Sequence, residues 1–179
     1  MPRRYDPDRR QRLIDAAIRV VDRSGIDGLS HRAVAAEADV PLGSTTYHFA
    51  GLDELLVAAL RQVNEEWLAD LRRRAEALDP TRPLADALAE LTGGLLRGDR
   101  ARPRLEYELY LAALRRDAVR PIAAECLDEM ARILAPHTAT PATARAVVAL
   151  LDGLILQALL TDRPYDRDAA RSALAALLG

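Results

Sequence analysis

One short segment of this chain, residues 41–48, concentrates side chains suited to molecular recognition. Its Ser44, Thr45, Tyr47 and His48 can hydrogen-bond phosphate oxygens or base edges, and Leu42 can contact a thymine methyl group. The small residues at its start would let the backbone approach another surface closely. This chemistry is binding rather than covalent catalysis.

Motifs typical of catalysis are missing from the sequence. It contains no Gly-rich phosphate loop, no Cys/His metal-ligand spacing and no nucleophile motif with partner residues. His31, His48 and His137 fall at a helix start, in the 41–48 segment and in a Pro-rich loop, and most carboxylates follow the pattern of solvated helix faces. We predict that the protein is not an enzyme and uses neither a cofactor nor a metal.

The composition indicates a globular protein. Half of the 179 residues are hydrophobic and 29% are charged. The single Cys126 excludes an internal disulfide, and no apolar segment follows Arg3 and Arg4, so we expect a cytoplasmic location. Residues 1–49 hold eight arginines and seven acidic residues, against 17 and 20 in the rest. Nucleic-acid binding would therefore depend on where the charges lie.

Two short helices separated by a tight turn must position the 41–48 segment. A preceding helix over 9–24 is predicted from the apolar spacing of Ile14, Ala17, Ile18 and Val21. Ser30 suits the N-cap of a short helix over 31–38, and Asp39-Val40-Pro41 separates it from a second helix that ends near Phe49. Such a pair can insert its second helix into the DNA major groove. The same pattern also fits two short helices in an ordinary bundle.

The stretch from Arg12 to Leu60 resembles the N-terminal domain of the TetR family of repressors. The matching stretches, in order and spacing, are residues 13–17, 25, 29–35, 38–49 and 53–56. The resemblance implies a helix-turn-helix that binds a palindromic double-stranded DNA operator, a homodimer formed through the last long helices, and a small-molecule effector. The candidates for DNA contact are Ser30, His31, Arg32, Pro41, Leu42, Gly43, Ser44, Thr45, Tyr47 and His48.

Two positions depart from the family pattern. The family usually has a second aromatic residue where Thr46 stands and a lysine where Leu52 stands, and both typically contact phosphate. Their loss predicts weaker anchoring to the DNA backbone. Arg3 and Arg4 could compensate from an N-terminal arm, although a solvated tail is the alternative.

The remainder of the chain is predicted to be helical as well, and no alternating strand pattern is found. The expected helices cover residues 52–78, 84–97, 104–116, 118–134, 142–161 and 166–178. The expected fold class is all-α, with about nine helices. Residues 1–50 would form the DNA-binding domain and residues 51–179 a regulatory and dimerisation domain.

An almost wholly apolar stretch, residues 146–160, is interrupted by Asp152 and Gln157 alone. It is shorter than the roughly 20 apolar residues of a membrane span, so we predict no membrane association. A helix that is apolar all round has to be covered on both sides, which favours a twofold homodimer. The predicted interface residues are Val148, Leu151, Gly153, Ile155, Leu159, Leu174 and Leu177.

An effector pocket is predicted among the middle helices. Its candidate lining residues are Trp67, Tyr107, Tyr110, Met130 and Gln157, an apolar set with a few polar groups, although each also suits ordinary core packing. Glu106 and Glu108 flank a tyrosine and would favour a cationic ligand unless they face solvent.

The sequence therefore predicts a DNA-binding transcription regulator, with a repressor released by a small molecule as the first hypothesis. A regulator of the same fold controlled by a protein partner, or a helical interaction protein that has lost DNA binding, are the alternatives. Neither the effector nor the operator sequence can be read from the chain.

Overall fold

A computed structural model describes residues 8–97, 100–161 and 163–179. Arg3 and Arg4 lie outside the described residues. Within the described part of the chain there are nine α-helices and no strand: α1 Arg9–Ser24, α2 His31–Glu37, α3 Leu42–His48, α4 Leu52–Glu76, α5 Leu84–Leu95, α6 Ala101–Ala112, α7 Arg120–Leu134, α8 Pro141–Thr161 and α9 Arg167–Leu178. Short 3₁₀ turns occupy Ile26–Gly28 and Ala135–His137. The predicted all-α fold is confirmed.

Two helices start earlier than predicted, and proline explains both differences. Pro103 lies in the first turn of α6 and Pro141 is the first residue of α8. The amides of the first helical turn have no acceptor within the helix, so a proline there sacrifices no hydrogen bond. At its other end, α6 stops at Ala112 instead of continuing to Arg116.

The first core joins α1, α2 and α3 to the N-terminal half of α4; these four segments are called the reading domain below. Its largest fully buried side chains include Leu13, Val34, Phe49, Leu55 and Leu60. The same core continues into α6 and α7 through the buried Leu109, Val119 and Ile122. The predicted domain boundary at residue 50 lies two residues before the start of α4, and the apolar packing continues across it.

The second core holds α5, α7, α8 and α9 together. Leu88, Val147 and Leu174 are buried in it. The Tyr165 hydroxyl, in the connection between α8 and α9, donates a hydrogen bond to the carbonyl of Ala89 at 2.9 Å. Helix α9 is thereby fixed against α5, and α8 lies beside both α7 and α9.

Helix α8 is the one helix in the described ranges that is long and apolar enough to cross a membrane by length and composition. Within this chain, 28% of its most apolar 18-residue stretch is buried. Most of its other residues are half-buried, and Leu150, Leu151 and Leu154 pack against the second core. An apolar helix that its own chain covers only in part is typical of subunit interfaces as well as of membrane spans.

Phe49 gives a direct test of the first core. Its ring is buried between α1 and α4, with the Arg10 guanidinium 5.0 Å from the ring centroid. We expect Phe49→Ala to lower the free energy of unfolding by about 3–5 kcal/mol, because it leaves a cavity in packed surroundings. Denaturant titration at fixed protein concentration, followed by circular dichroism, measures the change. Leu114→Ala, at an exposed position, is the control and should change stability by less than about 0.5 kcal/mol.

Candidate DNA-binding surface and effector cavity

Helix α2 is held at both ends by polar contacts. At its start, the Ser30 hydroxyl accepts a hydrogen bond from the Ala33 amide at 3.1 Å, as the predicted N-cap requires. At its end, Glu37 accepts hydrogen bonds from Arg19 at 2.7 Å and Arg23 at 2.8 Å, both on α1. These guanidinium groups, that of Arg19 first, lower the pKa of Glu37 below its usual range. These contacts link the C-terminal end of α2 to α1.

The turn between α2 and α3 depends on one left-handed residue. Asp39 has φ 52°, a conformation that aspartate adopts more readily than most non-glycine residues. The next amide, that of Val40, donates to the carbonyl of Ala35 at 3.0 Å. Arg12 of α1 also donates to the carbonyl of Ala38 at 2.8 Å. The chain reverses tightly enough to form the predicted helix-turn-helix.

Helix α3 presents an exposed face. Tyr47 is 84% exposed and Leu42 is 47% exposed. A Cβ atom added at Gly43 would meet nothing within 4 Å, so packing within the chain does not require glycine there. His48 packs edge-on against Tyr47 with ring centroids 5.0 Å apart. This face leaves an apolar group and a phenol accessible to another molecule.

One of the predicted DNA contacts is wrong. Thr45 is fully buried, and its hydroxyl donates to the carbonyl of Leu42 at 2.7 Å. Thr45 therefore makes a contact within α3, and its buried hydroxyl cannot reach DNA. Of the remaining candidates, Ser30, His31, Ser44 and His48 are half-buried, whereas Arg32, Pro41 and Gly43 are exposed along with Leu42 and Tyr47.

The two departures from the family pattern occupy different environments. Thr46 is exposed and donates to the carbonyl of Gly43 at 3.4 Å. Leu52 is half-buried and packs against the first core at the start of α4. The apolar contact of Leu52 thus takes the place of a cationic side chain at this position.

A cavity of about 90 Å³ lies between α4, α5, α6, α7 and α8. Trp67, Tyr107, Tyr110 and Met130, all predicted lining residues, line it. The Trp67 indole N–H donates to the Met130 sulfur at 3.1 Å, and the two tyrosine rings meet edge to face with centroids 6.2 Å apart. The walls are therefore largely aromatic and apolar.

Two carboxyl groups enter this apolar cavity. Asp152 of α8 accepts a hydrogen bond from the Tyr107 hydroxyl at 2.7 Å, and burial raises the pKa of Asp152. Burial also raises the pKa of Glu106, which has a counter-ion in Arg102 at 3.0 Å. In contrast, no cationic group among the described residues lowers the pKa of Asp152. Asp152 is thus a half-buried carboxylate without an ion-pair partner in that part of the chain.

Two half-buried phenols and the buried thiol of Cys126 lie around the carboxylates and are held in their neutral forms. Burial, and then the charge of Asp152, raises the pKa of Tyr107, and the same causes raise the pKa of Tyr110 to about 12. Burial raises the pKa of Cys126 to about 12. At neutral pH these groups serve as hydrogen-bond donors and packing surfaces rather than as nucleophiles.

Two polar residues predicted to face the ligand do not line the cavity. Gln157 is exposed on α8, because it lies five residues after Asp152 and therefore on a different face of the helix. Glu108 points from α6 to the reading domain, where it accepts a hydrogen bond from the Ile26 amide. Sequence reasoning missed Asp152 as a site residue, although its charge within an apolar run was a usable signal.

The predicted subunit interface also needs correction. Val148, Leu151 and Ile155 line the cavity, and Leu174 is fully buried in the second core, so these four side chains pack inside their own chain. Gly153 and Leu159 are half-buried, and Leu177 is exposed. Leu160, which was not among the predicted residues, is 80% exposed.

Both parts of the chain match known families. Residues 13–59 match the model described as bacterial regulatory proteins of the tetR family, and residues 79–179 match the tetracyclin repressor-like C-terminal domain. The chain belongs to the TetR family. Members of this family are DNA-binding transcription regulators rather than enzymes, which agrees with the exposed face of α3.

Three relatives of this TetR family regulator show how far the similarity extends. The multidrug-binding protein EbrR in complex with ethidium is 59% identical, with 96% of this chain and 99% of that chain covered and a TM-score of 0.86. The regulator BetI of Burkholderia mallei is 31% identical over 90% of this chain and 87% of its own length. The nicotine-responsive repressor HdnoR of Paenarthrobacter nicotinovorans is 29% identical over 84% and 83%.

The exposed phenol of Tyr47 is expected to bind the DNA backbone. Tyr47→Phe removes one hydrogen bond to phosphate, so we predict that it weakens binding to all sequences by about 3- to 10-fold. Changes at Leu42 or Ser44 should instead alter which sequences are preferred. Fluorescence anisotropy on the DNA upstream of the gene and on unrelated duplexes measures both effects. A Tyr47→Phe variant that changed only the sequence preference would refute this role.

Proposed function

We propose that this regulator is a cytoplasmic, homodimeric repressor without catalytic activity. It leaves a palindromic operator when an aromatic cation binds in the cavity. The observation that carries the ligand class is Asp152, a half-buried carboxylate without a cationic partner among the described residues, hydrogen-bonded to Tyr107 inside an aromatic cavity. A partly desolvated charge of this kind is costly in the empty protein, and a bound cation would offset the cost.

Aromatic rings complement this charge. The negative faces of Trp67, Tyr107 and Tyr110 attract a cation by about 0.5–2 kcal/mol each when their geometry is suitable. EbrR forms complexes with ethidium, proflavin and malachite green, which are aromatic cations, and also with imidazole. Similarity to EbrR therefore supports the same chemical class of ligand for this chain.

The size of the cavity supports a change of shape on binding. Pockets for drug-sized ligands usually enclose about 300–1,000 Å³, which exceeds the 90 Å³ found here. A ligand of that size must therefore displace the lining helices, and it favours the conformation in which they are apart. If that conformation binds DNA less well, the ligand releases the operator, with a coupling energy typically of about 1–3 kcal/mol.

A gel shift with the DNA upstream of the gene distinguishes the alternatives. We expect binding at low salt and release on addition of malachite green. Ethidium and proflavin are unsuitable for this assay because they intercalate into DNA. Binding without release by any cation would favour control by a protein partner. Lack of binding to this DNA and to genomic fragments would favour an interaction protein that no longer binds DNA.

Asp152→Asn provides the sharpest test of the ligand class. The amide keeps the acceptor for Tyr107 but removes the charge, so we expect the affinity for malachite green to fall about 10- to 100-fold. Glu106→Gln is the matched comparison and should have a smaller effect, because Arg102 already neutralises that carboxylate. Dye absorbance titration measures both. Unchanged affinity in Asp152→Asn would contradict the proposed ligand class.

The same substitution should increase the stability of the empty protein. Because burial raises the pKa of Asp152 above its unfolded value, the ionised group destabilises the fold at neutral pH, and this cost disappears as the pH falls through the raised pKa. We therefore expect Asp152→Asn to have a higher Tm than the wild type at pH 7 and a smaller advantage at acidic pH. Thermal unfolding over a pH series checks the sign.

The homodimer is proposed to form through the incompletely covered face of α8 together with α9. Exposed Leu160 and Leu177 lie on these helices, and most of the apolar stretch of α8 is only half-buried in one chain. Pairing of two copies would bury it and would place two reading domains for half-sites about one DNA turn apart, or a multiple of it.

Leu160→Glu tests this interface. Because Leu160 is exposed in one chain, the charge should leave the fold intact but raise the dimer dissociation constant at least about tenfold, since a carboxylate would be buried between subunits. Leu114→Glu is the control, because Leu114 is 75% exposed but lies after α6. Sedimentation equilibrium should show the control as a dimer. A wild type that is monomeric at micromolar concentration would contradict the proposal.

A further inference from the structure

Helix α6 separates the effector cavity from the reading domain and contacts both. Glu106, Tyr107 and Tyr110 line the cavity. Leu109 is buried in the core of the reading domain, and the Glu108 carboxylate accepts a hydrogen bond from the Ile26 amide at 2.7 Å. Neighbouring residues of α6 thus contact the effector cavity and the reading domain. A movement of the cavity wall on α6 therefore also moves groups that contact the reading domain.

The turn that Glu108 contacts connects α1 to the helix-turn-helix. Residues 26–28 form a 3₁₀ turn between the end of α1 and the N-cap Ser30 of α2. Gly25 precedes this turn with φ 71°, in the left-handed region. A Cβ atom added to Gly25 would lie 2.7 Å from a carboxylate oxygen of Glu108. The backbone conformation therefore favours glycine at this position, and a side chain there would also displace the Glu108 carboxylate.

A second polar contact also joins the segment after α6 to the reading domain, but it is more exposed than the Glu108 contact. After α6, Arg116 pairs with Asp53 at the start of α4, and both side chains are substantially exposed. Exposed pairs of long side chains contribute little and adapt easily to a shift of their elements. The Glu108 contact is partly buried and ends on a backbone amide, so it transmits displacement of α6 directly to the main chain.

We propose that Glu108 is a positioning residue that couples the effector cavity to DNA binding. When a ligand displaces the cavity face of α6, Glu108 carries the 26–28 turn with it and changes the orientation of α2 and α3. The inference rests on the proposed function of the cavity as the effector site. The Glu108 carboxylate that provides the coupling touches neither the ligand nor the DNA.

The test compares Glu108→Ala with Glu108→Gln and the wild type, using malachite green as the probe. We expect Glu108→Ala to bind the dye within about threefold of the wild type, because Glu108 does not line the cavity. The ratio of DNA dissociation constants with and without saturating dye should fall at least about fivefold, towards one. Glu108→Gln should retain most of the coupling, because its amide oxygen can still accept from Ile26.

Asp79→Ala is the matched control. Asp79 accepts a hydrogen bond from the Thr81 amide at 2.8 Å in the connection between α4 and α5, away from α6. Its loss removes a contact of the same kind and should leave the coupling unchanged. The inference would be overturned if Asp79→Ala lowered the coupling as much as Glu108→Ala does. It would also be overturned if Glu108→Ala kept full coupling.

Hydrogen–deuterium exchange separates failure of this inference from failure of the proposed function. In the wild type and Glu108→Gln, but not in Glu108→Ala, dye should change exchange in a peptide covering residues 24–30. If the wild type binds no dye at all, the proposed ligand class is wrong. In that case the wild type and Glu108→Ala are compared without dye. Faster exchange of this peptide in Glu108→Ala supports the contact between Glu108 and the turn, and equal exchange overturns the role of Glu108.

Discussion

The reading domain depends on burial against helices that are not part of the helix-turn-helix. Helices α2 and α3 have seven residues each, and helices of that length are not stable alone in water. They are held by a core shared with α1 and α4, in which Phe49 and Val34 are fully buried. The DNA-binding face therefore keeps its shape only while α1 and α4 stay packed beneath it.

That core extends to α6 and α7, which also line the effector cavity. Leu109 and Ile122 contribute to the reading-domain core from these helices. The DNA-binding and regulatory parts consequently share apolar surface rather than meeting through a flexible linker. Shared packing of this kind makes the position of the reading domain sensitive to the position of the cavity walls.

Polar groups in the two parts of the chain are paired unequally. Asp152 is half-buried, with a hydrogen bond from Tyr107 but without a cationic partner among the described residues, an arrangement that an apolar core would avoid. Ser30 and Glu37, in contrast, accept hydrogen bonds from a backbone amide and from two guanidinium groups at the two ends of α2. These two groups of the reading domain are paired, whereas the Asp152 carboxylate in the cavity lacks a cationic partner among the described residues.

The sequence by itself determined the helices, the Ser30 cap and the order of elements. It could do so because these features depend on neighbouring residues, whose apolar spacing and capping chemistry are local. It also indicated most of the aromatic cavity wall. Only the tertiary structure showed that Thr45 is buried, that Val148 and Ile155 face their own cavity rather than a partner, and that Glu108 contacts Ile26. The sequence of an apolar helix does not indicate which neighbour covers each of its faces. A contact between residues 82 positions apart is decided by packing alone.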